Sequence, residues 1–196
     1  MALWGATDAD ESKPKWMTTA DKKEVLATTA GWVVEAGSSM TGNDNTSAQP
    51  EVLVATGGLT VSLGAATITD VEWITTTADK SAGFTLSARV RYNEAVDVAV
   101  SNPTISVTNS NAGSGSGRGP HTLTYASGTG TNELVFSLVI AAANAATNAD
   151  DVLSIAAQSI TLAGSSTIKD AGTTTVSERV ITSAQSTACG TITVVA

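Results

Sequence analysis

Between Phe84 and Tyr92, apolar and polar residues alternate without a break. Phe84, Leu86, Ala88, Val90 and Tyr92 share one face, and Thr85, Ser87, Arg89 and Arg91 share the other. A period of two marks a strand with one buried side. The pattern recurs in Val96, Val98 and Val100, and again in Leu134, Phe136, Leu138 and Ile140. Shorter alternating or apolar stretches predict further strands over 68–74, 104–108, 121–125, 153–156, 159–162, 176–181 and 191–195. Turn residues punctuate them about every 8–12 positions, which is the rhythm of a β-sandwich. The Ala-rich run 141–151 reads as a loop or a single helical turn.

Upstream the pattern changes. "MTTADKKEVLATTAGW" predicts one short helix, with Thr18 or Thr19 as cap, Asp21 and Glu24 at its positive end and Gly31 as its stop. Val25, Leu26 and Trp32 would give it a small apolar face, with Trp32 packing it onto the next strand. Residues 31–50 read as loop. Two short strands, 52–55 and 59–63, flank Gly57-Gly58 as a hairpin. The expected organisation is mainly β: residues 1–66 form an extension (extended segment, short helix, hairpin), and residues 67–196 form the sandwich.

Charge narrows the choice of partners. The net charge is −8, only 14% of residues are charged, and no Lys/Arg cluster stands out, so no nucleic-acid partner is expected. No apolar run approaches the ~18 residues of a membrane span. The start, interrupted by Asp8, Asp10, Glu11, Lys13 and Lys15, does not read as a signal peptide. Cys189 is the one cysteine, so no internal disulfide is available, and it reads as a buried or half-buried thiol.

Reactive chemistry is thinly represented. His121, the lone histidine, has no nucleophile motif near it and reads as solvent-exposed at the start of a strand. "GSGSGRGP" lacks the Lys-Ser/Thr ending of a phosphate cradle and reads as a flexible loop. The acidic groups at Asp8/Asp10/Glu11, Asn43/Asp44/Asn45 and Asn148/Asp150/Asp151 lack the spacing of a calcium loop and read as solvated turns. No catalytic residue, metal or cofactor is expected. The tryptophans carry more information. Trp73 alternates with Val71 and belongs to a core, whereas Trp4 and Trp16 stand in polar surroundings, where a large aromatic either fills a pocket on a partner or is buried by the extension folding back onto the same chain. Trp4, Trp16 and Trp32 are therefore the candidate partner-binding residues. On that basis, a chain lacking residues 1–20 is expected to fold but not to assemble with its partner.

Residues 67–175 resemble the bacterial immunoglobulin-like repeat domains of large surface proteins. The matching text is "YNEAVDV", "NPTISV", "YASGTGTNELVF" and "LSIAAQSITLAGSSTIKDAG", with Gly128, Gly130, Asp170 and Gly172 at turns. A Ser/Gly-rich insertion at 109–119 and the single copy depart from that pattern. The resemblance implies an immunoglobulin-like β-sandwich. "MALWGATDADESKPKW", "GWVVEAG" and "EVLVATGGL" resemble the N-terminal region of virion structural proteins from tailed marine phages, especially those infecting cyanobacteria. Together the resemblances imply a non-enzymatic virion protein, assembled in the host cytoplasm. It would decorate or cement the capsid exterior in many copies, singly or as a homo-oligomer, with major capsid or other virion proteins as partners. The alternatives are a neck, tail or fibre component, a carbohydrate-binding or adhesion module, or an enzyme acting through His121.

Overall fold

Alternation becomes strand where the alternating side chains find a core to face. The computed structural model describes residues 17–196 apart from 19, 29–30, 39, 41–44, 56–64, 101, 111–118 and 143–145. In chain order the strands are β1 (Val25–Thr28), β2 (Gly31–Val34), β3 (Glu51–Ala55), β4 (Ile68–Trp73), β5 (Ala78–Asp79), β6 (Phe84–Ala99), β7 (Thr104–Asn109), β8 (His121–Ser127) and β9 (Thr131–Ile140). They continue with β10 (Val152–Ser154), β11 (Gln158–Ser159), β12 (Thr167–Asp170), β13 (Val180–Ile181) and β14 (Thr191–Val195). One α-helix among the described residues, α1 (Ser183–Cys189), precedes β14. The chain is mainly β.

The two apolar repeats around residue 93 merge into one long strand, β6. Its edges carry β4 and then β12 on one side and β9 on the other. From β9 the pairing runs through β8, β7, β10 and β14, and β5 joins β14 in parallel. The sheet curls, so Leu86, Val90 and Tyr92 of β6 share one core with Phe136 of β9, Ile105 of β7, Leu153 of β10 and Val194 of β14. Between Arg91 and Val96 the β6–β9 register shifts. There Asn93 accepts from the Thr67 amide at 2.8 Å and donates its own amide to the Thr67 carbonyl at 3.0 Å. Buried Asp170 fixes the same entry point, accepting from the Ala66 amide at 2.7 Å and the Ser177 hydroxyl at 3.0 Å. Gly128 and Gly130 adopt φ of +113° and +78° at the β8–β9 turn, as expected.

The N-terminal expectations need correction. No helix spans 17–32: a 3₁₀ turn (Asp21–Glu24) passes directly into β1, and β1 pairs antiparallel with β2 from Val25↔Val34 to Thr28↔Gly31. Gly31 opens a strand instead of stopping a helix, and Gly31–Val34 belongs to a sheet instead of a loop. The four residues Val25–Thr28 and the four Gly31–Val34 gain ladder hydrogen bonds and a shared core, which outweighs the helical preference of "ADKKEVLA". β3 follows as the third strand, paired with β2. The predicted strand 59–63 and its Gly57-Gly58 turn lie outside the described residues, as does most of "GSGSGRGP".

Helix α1 was not foreseen. Its signal is a capping box: Thr182 Oγ1 accepts from the Gln185 amide at 3.3 Å, and Gln185 Oε1 accepts from the Thr182 amide at 2.7 Å. Gln185 Nε2 also donates to the Ile68 carbonyl at 2.6 Å, and Ser186 donates to the Ile155 carbonyl at 2.7 Å. The helix is thus pinned to the body by polar contacts, and none of its residues is fully buried.

Candidate partner-binding site

The three-stranded sheet β1–β2–β3 has an apolar cluster of its own. Met17, Val25, Trp32 and Val34 are buried together, with Met40 packed against them, and none of them joins the body's core. Trp32 is 1% exposed, so it holds this small sheet together from within and offers no surface of its own. Trp4 and Trp16 lie outside the described residues. The exposed apolar groups of the sheet are instead Val52 and Leu53 on β3, which among the described strands pairs only with β2. An edge strand with exposed apolar side chains is a surface on which another strand can pair.

Met17 also changes the truncation expected from sequence. Its side chain is buried in the cluster, and Thr18 donates its hydroxyl to Asp21 Oδ2 at 2.6 Å. Removing residues 1–20 would therefore damage the small sheet. A chain beginning at Met17 keeps it.

Polar and charged groups link the sheet to the body, β1 lies against β6, and Val33 of β2 is buried without joining either apolar cluster. Lys23 Nζ is 2.9 Å from Asp70 Oδ1, and Asp70 is 2% exposed. The Asn132 side-chain amide donates to Glu35 Oε1, and Arg91 Nη2 stands 4.0 Å from Glu35 Oε2. Beneath this seam the outward face of β4, β6 and β9 carries a ladder of charges. Arg91 pairs with Glu133 at 2.7 Å and Glu72 at 3.2 Å, and Arg89 pairs with Glu133 at 3.1 Å and also with Glu72. Two clefts of about 330 and 430 Å³ border the seam, sharing Glu35, Ala36, Thr46 and Glu133 in their walls.

Burial pushes the Glu35 carboxyl above its ordinary value. Hydrogen bonding to Asn132 and the Arg91 charge pull it down, Glu133 pushes it up and Arg89 pulls it down, and burial wins. A raised carboxyl means the fold prefers the protonated form. That contribution is full below pH 4.5 and is lost as pH rises through the raised value. Glu35→Gln, neutral throughout and still an acceptor for Asn132, should therefore melt higher than the native chain at pH 7, with the gap closing towards pH 4. Calorimetric melts at both pH values check this, and an equal or lower melting point at pH 7 contradicts it.

His121 departs from expectation. It is 5% exposed, because the first position of β8 faces inward in step with Leu123, and its Nε2 lies 3.0 Å from the Thr147 hydroxyl. Burial pushes its pKa down, with the Asp151 charge opposing. Asp151 itself is fully buried rather than solvated, accepting from Asn109 Nδ2 at 2.7 Å and the Asn148 amide at 2.8 Å. Imidazole and hydroxyl are both interior. Among the described residues, no three His, Cys, Asp or Glu side chains are placed to hold a metal ion. Tyr92 is buried and donates to the Glu178 carbonyl at 3.1 Å, while Tyr125 packs edge-on against Phe136.

Cys189 is half-buried at the end of α1, against the core. Burial first, then the charges of Asp70 and Glu72, push its thiol up to about 11. Only thiolate reacts with alkylating agents, so iodoacetamide at pH 8 should label Cys189 on the order of 100-fold more slowly than an ordinary thiol. Labelling at the ordinary rate would show the thiol to be accessible and normally acidic.

No family model, curated protein or solved structure matches the chain.

Proposed function

We propose that this chain is a non-enzymatic structural protein of a tailed-phage virion. In this reading its N-terminal region attaches to the shell, and the curled β body, an immunoglobulin-like sandwich, is the part carried outward. The observation that supports this reading best is the division of the chain. The region with the partner-type tryptophans continues into a small, separately cored sheet that ends in the exposed Val52 and Leu53 of β3. The body has its one histidine interior, and its tyrosines are used in packing. Attachment would rest on apolar burial by Trp4 and Trp16 at about 25 cal/mol per Å², multiplied over many copies. The net charge of −8 would keep particles dispersed. The leading placement is decoration of the capsid exterior; neck, tail or fibre is the other placement in the same class.

The test is a chain beginning at Met17, compared with the full chain for assembly on particles. The shortened chain should fold and fail to assemble, and Trp16→Ala in the full chain should weaken attachment by about 2–4 kcal/mol. Normal assembly of the shortened chain would remove the anchoring role of Trp4 and Trp16. Glycan-array binding by the full chain would favour the adhesion reading instead.

A further inference from the structure

We propose that the β1–β2–β3 sheet is a releasable module, held on the body by the charged seam of Lys23, Glu35, Asp70, Asn132 and Arg91, and able to lift off while the body stays folded. Three observations carry this. First, the module has its own apolar cluster, so lifting it does not open the core of the body. Second, the charge ladder beneath is complete without it. Arg89 and Arg91 both pair with Glu72 and Glu133, all four of which belong to the body, so departure of Glu35 orphans neither arginine. Third, Glu35 is held at a desolvation cost that its partners do not cancel, so release returns it to water at a gain.

Opposing these is the Lys23–Asp70 pair. Asp70 is nearly fully buried, its second oxygen has no hydrogen-bond partner among the described residues, and the Lys23 ammonium, 36% exposed, is its counter-charge. This pair is the latch. Salt reaches a partly exposed ammonium, and the screening length falls from about 10 Å at 0.1 M to about 3 Å at 1 M. The module is therefore released by ionic strength. The module's hold on its own body is independent of whatever the module attaches to.

Hydrogen exchange on the full chain tests it, following amides of β1 and β2 against those of β6 and β9 at 0.05 and 1 M sodium chloride. Protection in β1 and β2 should fall at least about tenfold with salt, while β6 and β9 change less than about twofold. Lys23→Met should reproduce the loss at low salt, again confined to β1 and β2. Lys23→Met with Asp70→Asn removes the uncompensated charge and should recover part of the protection. Equal loss in module and body, or no response of β1 and β2 to salt, would overturn the proposal.

Discussion

Trp32→Ala should unfold the N-terminal sheet and leave the body standing. Trp32 is the largest member of a cluster completed by Met17, Val25, Val34 and Met40, and it is 1% exposed. Truncating a buried tryptophan costs about 3–5 kcal/mol, and a sheet of three strands of four or five residues has little else to set against that. The body does not share the cluster, so its own transition should hardly move. Hydrogen exchange or residue-resolved NMR across a thermal melt should show β1 and β2 unprotected at 25 °C, with β6, β8 and β9 as in the native chain. If the whole chain melts earlier as one unit, the two cores are not energetically separate.

Gly128→Ala should be the most damaging single change in the body. The glycine sits at φ +113°, and a Cβ built there would lie 1.9 Å from the Glu133 carbonyl oxygen, a backbone atom that no rotamer change can move aside. The turn cannot yield cheaply, because the Gly128 carbonyl accepts from both the Thr131 amide at 3.1 Å and the Thr131 hydroxyl at 2.7 Å. Strained backbone plus displaced strand should cost more than about 3 kcal/mol, at the upper end of single substitutions, and lower the melting point by roughly 10 °C. Gly164→Ala is the control: its φ is +59° and nothing lies within 4 Å of the new methyl, so about 1 kcal/mol is expected. Similar losses at both positions would mean that steric room is not what distinguishes them.

Much of the body is legible in its sequence, because a sheet with one buried face writes that face as alternation. Leu86, Ala88, Val90 and Tyr92 are all buried, as their spacing demands, and Leu134 and Phe136 answer them from β9. The turn glycines were readable for the same reason: few other residues tolerate their φ. The N-terminal sheet was not readable. "DKKEVLATTAGWVV" contains helix-forming residues and β-branched ones in similar measure, and only the pairing of Val25 with Val34 decides between them.

The charge ladder was hidden in another way. Arg89 and Arg91 look like an ordinary solvent face, and their partnership with Glu72 and Glu133 depends on the registers of β4 and β9 against β6, which are set by long-range pairing. The inward turn of His121 likewise follows from where β8 begins. By contrast, the Thr182–Gln185 box was present in the text as T-x-x-Q and could have located α1.

The lysines are distributed well for a direct test of attachment. Lys13, Lys15, Lys22 and Lys23 lie in the N-terminal region, and Lys80 and Lys169 lie in the body. Amine cross-linking of intact particles, read by mass spectrometry, reports which of them stand within reach of a shell subunit. Cross-links to shell proteins are expected from Lys13 and Lys15 and none from Lys80 or Lys169. Shell cross-links from Lys80 and Lys169, with Lys13 and Lys15 modified only at one end, would contradict N-terminal attachment.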